Sequence, residues 1–292
     1  MMRLAQKESQ PNQLPTRFSE IMAMDLQMTQ VVENLLPSGS LTLLVADGGT
    51  GKSSFIYRMA DALTRGEKFA DGFKTEQSNV LICQSDENIV NAQIKWKRMG
   101  IEPNEDRWEM WWDFSSSMLP DLEKRVVEEG WGVVLMDSLL KIVSEAGLSM
   151  NDPLVAEFLY DLNAMAGRTG CAVLLTHHVN GGDKKEKGIR RLNRKDIFGS
   201  TYFFNGCSQC LLAWKEADGE VAIKIDKDRN DALGEGTILE FNTCAEDYSW
   251  QLRGIAGSTI RLDELQGAAE KVRAVLSSVD SEGALSAAAI AL

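Results

Sequence analysis

The stretch from Leu41 to Ser54 reads Leu-Thr-Leu-Leu-Val-Ala-Asp-Gly-Gly-Thr-Gly-Lys-Ser-Ser: an apolar run, a glycine-rich turn, then Lys-Ser at the head of a segment with helical spacing. Such a loop can turn successive backbone N–H groups inward, making a nest at a helix N-terminus where the dipole favours an anion. Phosphate oxygens suit that nest. On this reading Gly48, Gly49, Thr50, Gly51, Lys52, Ser53 and Ser54 form the cradle, Lys52 reaches the β- and γ-phosphates, and Ser53 ligates Mg²⁺. The ligand pair expected is ATP with Mg²⁺. One position departs from the pattern G-x-x-x-x-G-K-[ST]: Ala46 stands where the first glycine belongs, which an L-residue tolerates only with negative φ.

Chemistry on a phosphate needs further groups, and other apolar runs end in suitable ones. Strand 79–83 leads into Gln84-Ser85-Asp86-Glu87, and one of Asp86 or Glu87 would orient an attacking water. Strand 132–136 ends in Asp137-Ser138, whose carboxylate can hold the water shell of Mg²⁺. Strand 171–175 ends in Thr176-His177-His178, the only two histidines of the chain, and His177 is expected to hydrogen-bond near the γ-phosphate. A later alternating stretch from Val221 ends in Lys227-x-Arg229. These cations suit a finger supplied to a neighbouring subunit's nucleotide, which requires an oligomer.

The elements that must position these residues follow from periodicity. Helices are predicted over 52–64, 88–99 and 153–167, between continuous apolar strands. That alternation predicts an α/β fold, a mostly parallel twisted sheet with helices on both faces, with the ligand off the carboxyl ends of the strands. Residues 1–17 read as a flexible tail, 18–36 as a helical segment, and 37–258 as the nucleotide-handling domain. Residues 259–292 read as a short C-terminal helical segment similar to the opening of a winged-helix domain. Trp108-Glu-Met-Trp-Trp112 reads as a strand against the sheet.

The net charge of −12 argues against a generic nucleic-acid coat. Against that background, residues 182–196 carry Lys184, Lys185, Lys187, Arg190, Arg191, Arg194 and Lys195. As a loop after the 171–175 strand, this segment could contact the phosphates of single-stranded DNA without reading sequence, since no aromatic occurs before Phe198. The same composition also suits a solvated charge run. Five cysteines, an odd number, two or more within apolar runs, read as reduced thiols of a cytoplasmic protein. Cys207-x-x-Cys210 lacks the second pair or histidines that a zinc site needs. No apolar run approaches the ~20 residues of a membrane span, and the polar first residues lack a signal-peptide core, so no membrane partner is expected.

The order of these motifs resembles the RecA-like P-loop NTPases, most closely the RepA-type replicative helicases and their DnaB-like relatives. It rests on Leu-Pro-x-Gly before the first strand, the phosphate loop (a Walker A motif), the acidic pair, Leu-Met-Asp-Ser, Leu-Leu-Thr-His-His, Gly199-Ser200 and Lys-Asp-Arg-Asn, spanning about Leu36 to Gly234. The resemblance implies a homo-oligomeric ring, often a hexamer, with ATP between subunits and a channel acting on single-stranded DNA. It maps Lys52 and Ser53 to phosphate and Mg²⁺ binding, Asp137 to the second acidic motif, His177 to the sensor, Lys227 and Arg229 to the trans-acting pair, and the base to Asp86 or Glu87. Phe198 before the Gly-Ser step, and Ser208 further on, stand where the family often has arginine. Two other outcomes fit the same core: a KaiC-like regulatory ATPase acting through partner contacts, and a recombination-mediator ATPase.

Overall fold

The computed structural model describes residues 17–24, 28–103, 107–180, 189–199, 202–230 and 233–257. In chain order the elements are α1 (Phe18–Ala23), β1 (Gln30–Val32), β2 (Leu36–Pro37), β3 (Leu41–Ala46), α2 (Lys52–Arg65), β4 (Val80–Gln84), α3 (Ile89–Met99), β5 (Trp108–Trp112) and α4 (Leu119–Glu129). They continue with β6 (Val133–Asp137), α5 (Leu139–Glu145), α6 (Pro153–Thr169), β7 (Ala172–His178), α7 (Tyr202–Gly206), β8 (Gln209–Ala217), β9 (Glu220–Asp228), β10 (Ile238–Thr243) and β11 (Trp250–Ala256). Among the described residues, nine strands form one sheet in the order β11-β10-β9-β8-β3-β7-β6-β4-β5. From β8 to β5 all neighbours are parallel. From β8 to β11 they are antiparallel, forming a meander that extends the sheet as a wing.

Every residue of β3, β4 and β6 is buried, as strands covered on both faces must be. The two faces carry separate cores. Leu41, Leu43, Val45, Val134, Met136, Val173 and Leu175 pack with α4, α5 and α6, whereas Leu44, Ala46, Val80, Ile82, Leu135 and Leu174 pack with α2 and α3. Helix ends follow local chemistry. The Asp152 side chain accepts from Leu154 N ahead of Pro153, Asn88 caps α3, and glycines in the left-handed region close α2, α3, α4 and α6.

Two regions differ from the sequence expectation. Within 18–36, expected to be helical, α1 is followed by a short antiparallel hairpin of β1 and β2. Asn34 takes positive φ at its turn, and Val32, Leu35 and Leu36 are fully buried in the α2-side core, so tertiary burial overrides the helical spacing. Trp108–Trp112 does not pack on the sheet but joins it as β5, the edge strand beside β4. Nothing is described of 1–16 or 258–292, where the expected tail and C-terminal helical segment lie. No helix among the described residues is long and apolar enough to cross a membrane.

Candidate active site

A cleft of about 590 Å³ opens at the carboxyl ends of the parallel strands, between the 48–54 loop and the wing. Its volume suits a drug-sized or nucleotide-sized ligand. Lys52 and Ser53 open α2, while Ala46 ends β3 and is absent from the positive-φ residues, so its side chain is accommodated. Gly49 and Gly51 take φ of 76° and 102°, the left-handed geometry that favours glycine.

The Lys52 ammonium is buried and donates to the carbonyls of Ala46 and Asp47 at 3.0 Å each. Burial lowers its pKa, against the pull of Asp137, Asp86 and Asp47. Ser53 Oγ donates to Asp137 Oδ2 at 2.6 Å, and Thr176 Oγ1 donates to Asp137 Oδ1 at 2.5 Å, fixing the carboxylate at the cleft wall. Ser54 also lines the cleft, while its hydroxyl donates to Gly51 O at 2.8 Å and accepts from Trp250 Nε1 at 3.1 Å, which ties the wing to the loop.

The acidic pair separates. Asp86 lines the cleft with His178 Nε2 3.8 Å from its Oδ2. At that distance the contact is electrostatic, and it holds the Asp86 carboxyl below its usual range. Glu87 is not on the cleft wall and instead takes hydrogen bonds from Tyr57 and Lys95.

His177 is the principal correction. It is fully buried, its Nε2 lies 2.6 Å from Phe198 O, and its ring packs on Phe198 and Phe203. Its pKa is lowered to about 4 by burial. The histidine on the cleft is His178, which the sequence reading passed over. Strand parity carries the signal. Residues 172 and 174 of β7 pack on the α2 side, so 176 and 178 share the face of the phosphate loop and 177 does not.

Lys227 and Arg229 lie at the other end of the sheet. Thr42 pairs with Gln209 in β8, and Gln209 pairs with Asp228 in β9, so this segment is level with the start of β3 while the phosphate loop follows its end. The separation is roughly 15 Å at ~3.3 Å per residue, too far to serve the same chain's loop. Arg229 is exposed. Lys227 is not presented to a neighbour: it is buried, and its ammonium donates to the carbonyls of Phe204 and Cys207 at 2.5 Å each and of Asn205 at 3.4 Å.

Of the basic segment, Lys184, Lys185 and Lys187 lie outside the described residues. Arg190 pairs with Asp196 and Asp47, Arg191 with Glu216, and Arg194 with Asp226 and Glu235. Three of its cations therefore meet the chain's own carboxylates. Lys195 is exposed. Cys207 and Cys210 are buried free thiols, and among the described residues no three His, Cys, Asp or Glu side chains are grouped to hold a metal. The Ser53 hydroxyl and Asp137 carboxylate are still the hard oxygen donors that Mg²⁺ takes when phosphates and water supply the remaining ligands.

A parallel α/β sheet, a glycine-rich loop feeding a helix with Lys-Ser, and a strand-end aspartate on the serine define a P-loop NTPase of RecA/AAA-like fold. The chain belongs to the AAA domain family, whose model matches residues 6–184. Its fold is similar to that of the KaiC-like protein from the hyperthermophilic archaeon Pyrococcus horikoshii OT3, with a TM-score of 0.56 and 14% identity over 78% of this chain and 99% of that one. No curated protein matches the sequence. Nothing in these comparisons singles out a replicative helicase.

Proposed function

We propose that this chain is an Mg²⁺-dependent ATP hydrolase that completes its sites in a ring-forming homo-oligomer, a hexamer as the RecA-like resemblance implies, and acts by changing partner contacts, as a KaiC-like regulatory ATPase would. The observation that carries it is a mismatch within one protomer. No arginine lines the cleft among the described residues, while exposed Arg229 sits at the opposite end of the sheet. A head-to-tail neighbour would bring the two together.

In this reading Lys52 and the loop N–H groups bind the phosphates, Ser53 and Asp137 hold Mg²⁺, Asp86 orients the water, and Arg229 of the next copy offsets charge on the transferred phosphoryl group. When bound, Mg²⁺ supplies charge neutralisation between the phosphates. Mixing Arg229→Ala with Lys52→Ala subunits tests this. Each variant alone should be inactive, and the mixture should regain turnover at mixed interfaces. A mixture as dead as its parts sinks the shared site.

A second reading, a motor on single-stranded DNA, is favoured by the basic residues of 182–196. It predicts that single-stranded DNA stimulates hydrolysis at low salt and that the effect fades as salt rises. The regulatory reading predicts no stimulation in a preparation that hydrolyses ATP. Internal pairing of Arg190, Arg191 and Arg194 supports the latter.

A further inference from the structure

Asp86 and Glu87 face different ways, and one buried amide sorts them. Gln84, at the end of β4, is 1% exposed. Its Oε1 accepts from both backbone N–H groups of the following turn, Asp86 N at 2.8 Å and Glu87 N at 3.3 Å. Its Nε2 donates to the Tyr57 hydroxyl at 3.0 Å. Tyr57 in turn donates to Glu87 Oε1 at 2.5 Å, and Lys95 donates to the other Glu87 oxygen. Tyr57 is fully buried in α2, the helix that opens with Lys52 and Ser53. Burial, and then the bond to Glu87, raise its pKa far above the ordinary value, so the hydroxyl stays a donor.

The residue type at 84 is chemically specified. The position needs an acceptor for two N–H groups and a donor for a phenol, which a primary amide supplies from one side chain. A leucine would leave two turn N–H groups without that acceptor. A glutamate would place a buried charge beside Asp137, its register partner on β6.

We infer that Gln84 and Tyr57 are positioning residues for hydrolysis. They tie the 85–87 turn to α2, so that the Asp86 carboxylate faces the phosphate loop and Glu87 is turned back to hold Lys95, which also lines the cleft. This rests on the reading of Asp86 as the group that orients water. A group doing that work must be held within about 0.5 Å, and misplacement by about 1 Å can lower the rate about 10²-fold. Because the tether ends on α2, base and phosphate loop move as one body.

The test uses the full chain with three measurements: Mg²⁺-ATP turnover, binding of a non-hydrolysable ATP analogue, and the pH–rate profile. Gln84→Leu should lower kcat about 10- to 100-fold while the analogue's Kd stays within about twofold. Tyr57→Phe, which removes one oxygen, should act in the same sense but more weakly. In both, the acidic limb of the profile should move to higher pH. The neighbouring His178, with smaller help from Lys52 and Lys141, holds the Asp86 carboxyl low, and a loosened turn gives up that contact. A packing role would lower thermal stability without moving the limb or splitting kcat from Kd.

Unchanged kcat in both variants overturns the inference, as does a fall in kcat matched by an equal loss of analogue affinity. Asp86→Asn separates the two levels. If it retains turnover, the reading of Asp86 fails and the inference with it. If it is inactive while Gln84→Leu runs at full rate, only the positioning role fails. Should Gln84→Leu not fold, Tyr57→Phe keeps the turn's acceptor and decides the matter alone.

Discussion

The indole of Trp250 lies directly against Gly51. A Cβ on that glycine would fall 2.9 Å from Trp250 Cζ2, and the same ring's Nε1 donates to Ser54 Oγ at 3.1 Å. The antiparallel wing thus pins the phosphate loop from the side opposite β4 and β6. Gly51 also has φ of +102°, so an alanine meets both backbone strain and a ring held in the core. Gly51→Ala should cost about 1–3 kcal/mol of stability, read as a lower urea midpoint. It should also weaken ATP-analogue binding, because the loop cannot keep its curvature. An unchanged midpoint with normal binding would contradict the pinning.

Asp137 accepts from Ser53 at 2.6 Å and from Thr176 at 2.5 Å, one hydroxyl on each oxygen. Asp137→Asn keeps the shape but offers one acceptor where two are used, so about 1–3 kcal/mol of stability should be lost. Hydrolysis should fall about 10²-fold or more if the carboxylate serves Mg²⁺. Ser53→Ala should raise the Mg²⁺ concentration needed for half-maximal turnover. A magnesium titration of the ATPase rate checks both, and a Ser53→Ala curve superimposable on the parent would remove that serine from the metal.

How far the site was legible in the sequence depended on which physical rule governed each residue. The phosphate loop and Asp137 stand at ends of strands whose runs are apolar on both faces, and their types alone limit what they can do. The choice between His177 and His178 required knowing which face α2 covers. Apolar runs carry no parity signal when both faces are buried, so the rule becomes usable only once Leu174 and Leu44 are seen to pack on the α2 side. Asp86 and Glu87 were inseparable because the Gln84 and Tyr57 side chains set the turn, through contacts between residues 27 apart. The wing escaped for a different reason: β10 and β11 pair with their sequence neighbours at the rim of the sheet and are only partly buried, so they lack the continuous apolar runs that mark the parallel strands.

His177 makes stability depend on pH. Burial lowers its pKa from 6.5 to about 4, while the unfolded chain keeps the ordinary value. Between those limits the unfolded state binds the proton and the native state does not, so stability is fully present above pH 6.5 and is lost as pH falls towards 4. The loss attributable to this residue is of the order of 3 kcal/mol. Urea midpoints at pH 7.5 and 5 should differ by less in His177→Gln than in the parent, and equal pH dependence in both would assign the effect elsewhere.

Lys227 offers the sharpest separation of a structural role from a trans-acting one. Its ammonium donates to the carbonyls of Phe204, Asn205 and Cys207 and lies 4.9 Å from the centroid of the Phe204 ring, so it closes α7 onto β9. Lys227→Met keeps the stem's apolar contacts but leaves those carbonyls without their donor, which should cost about 1–3 kcal/mol. Arg229, two residues on and exposed, has no such engagement among the described residues, and Arg229→Ala should leave the urea midpoint where it was while abolishing turnover. If Lys227→Met instead kept the parent midpoint and lost only hydrolysis, the lysine would belong with Arg229 at a neighbour's nucleotide, and its hold on α7 would be incidental.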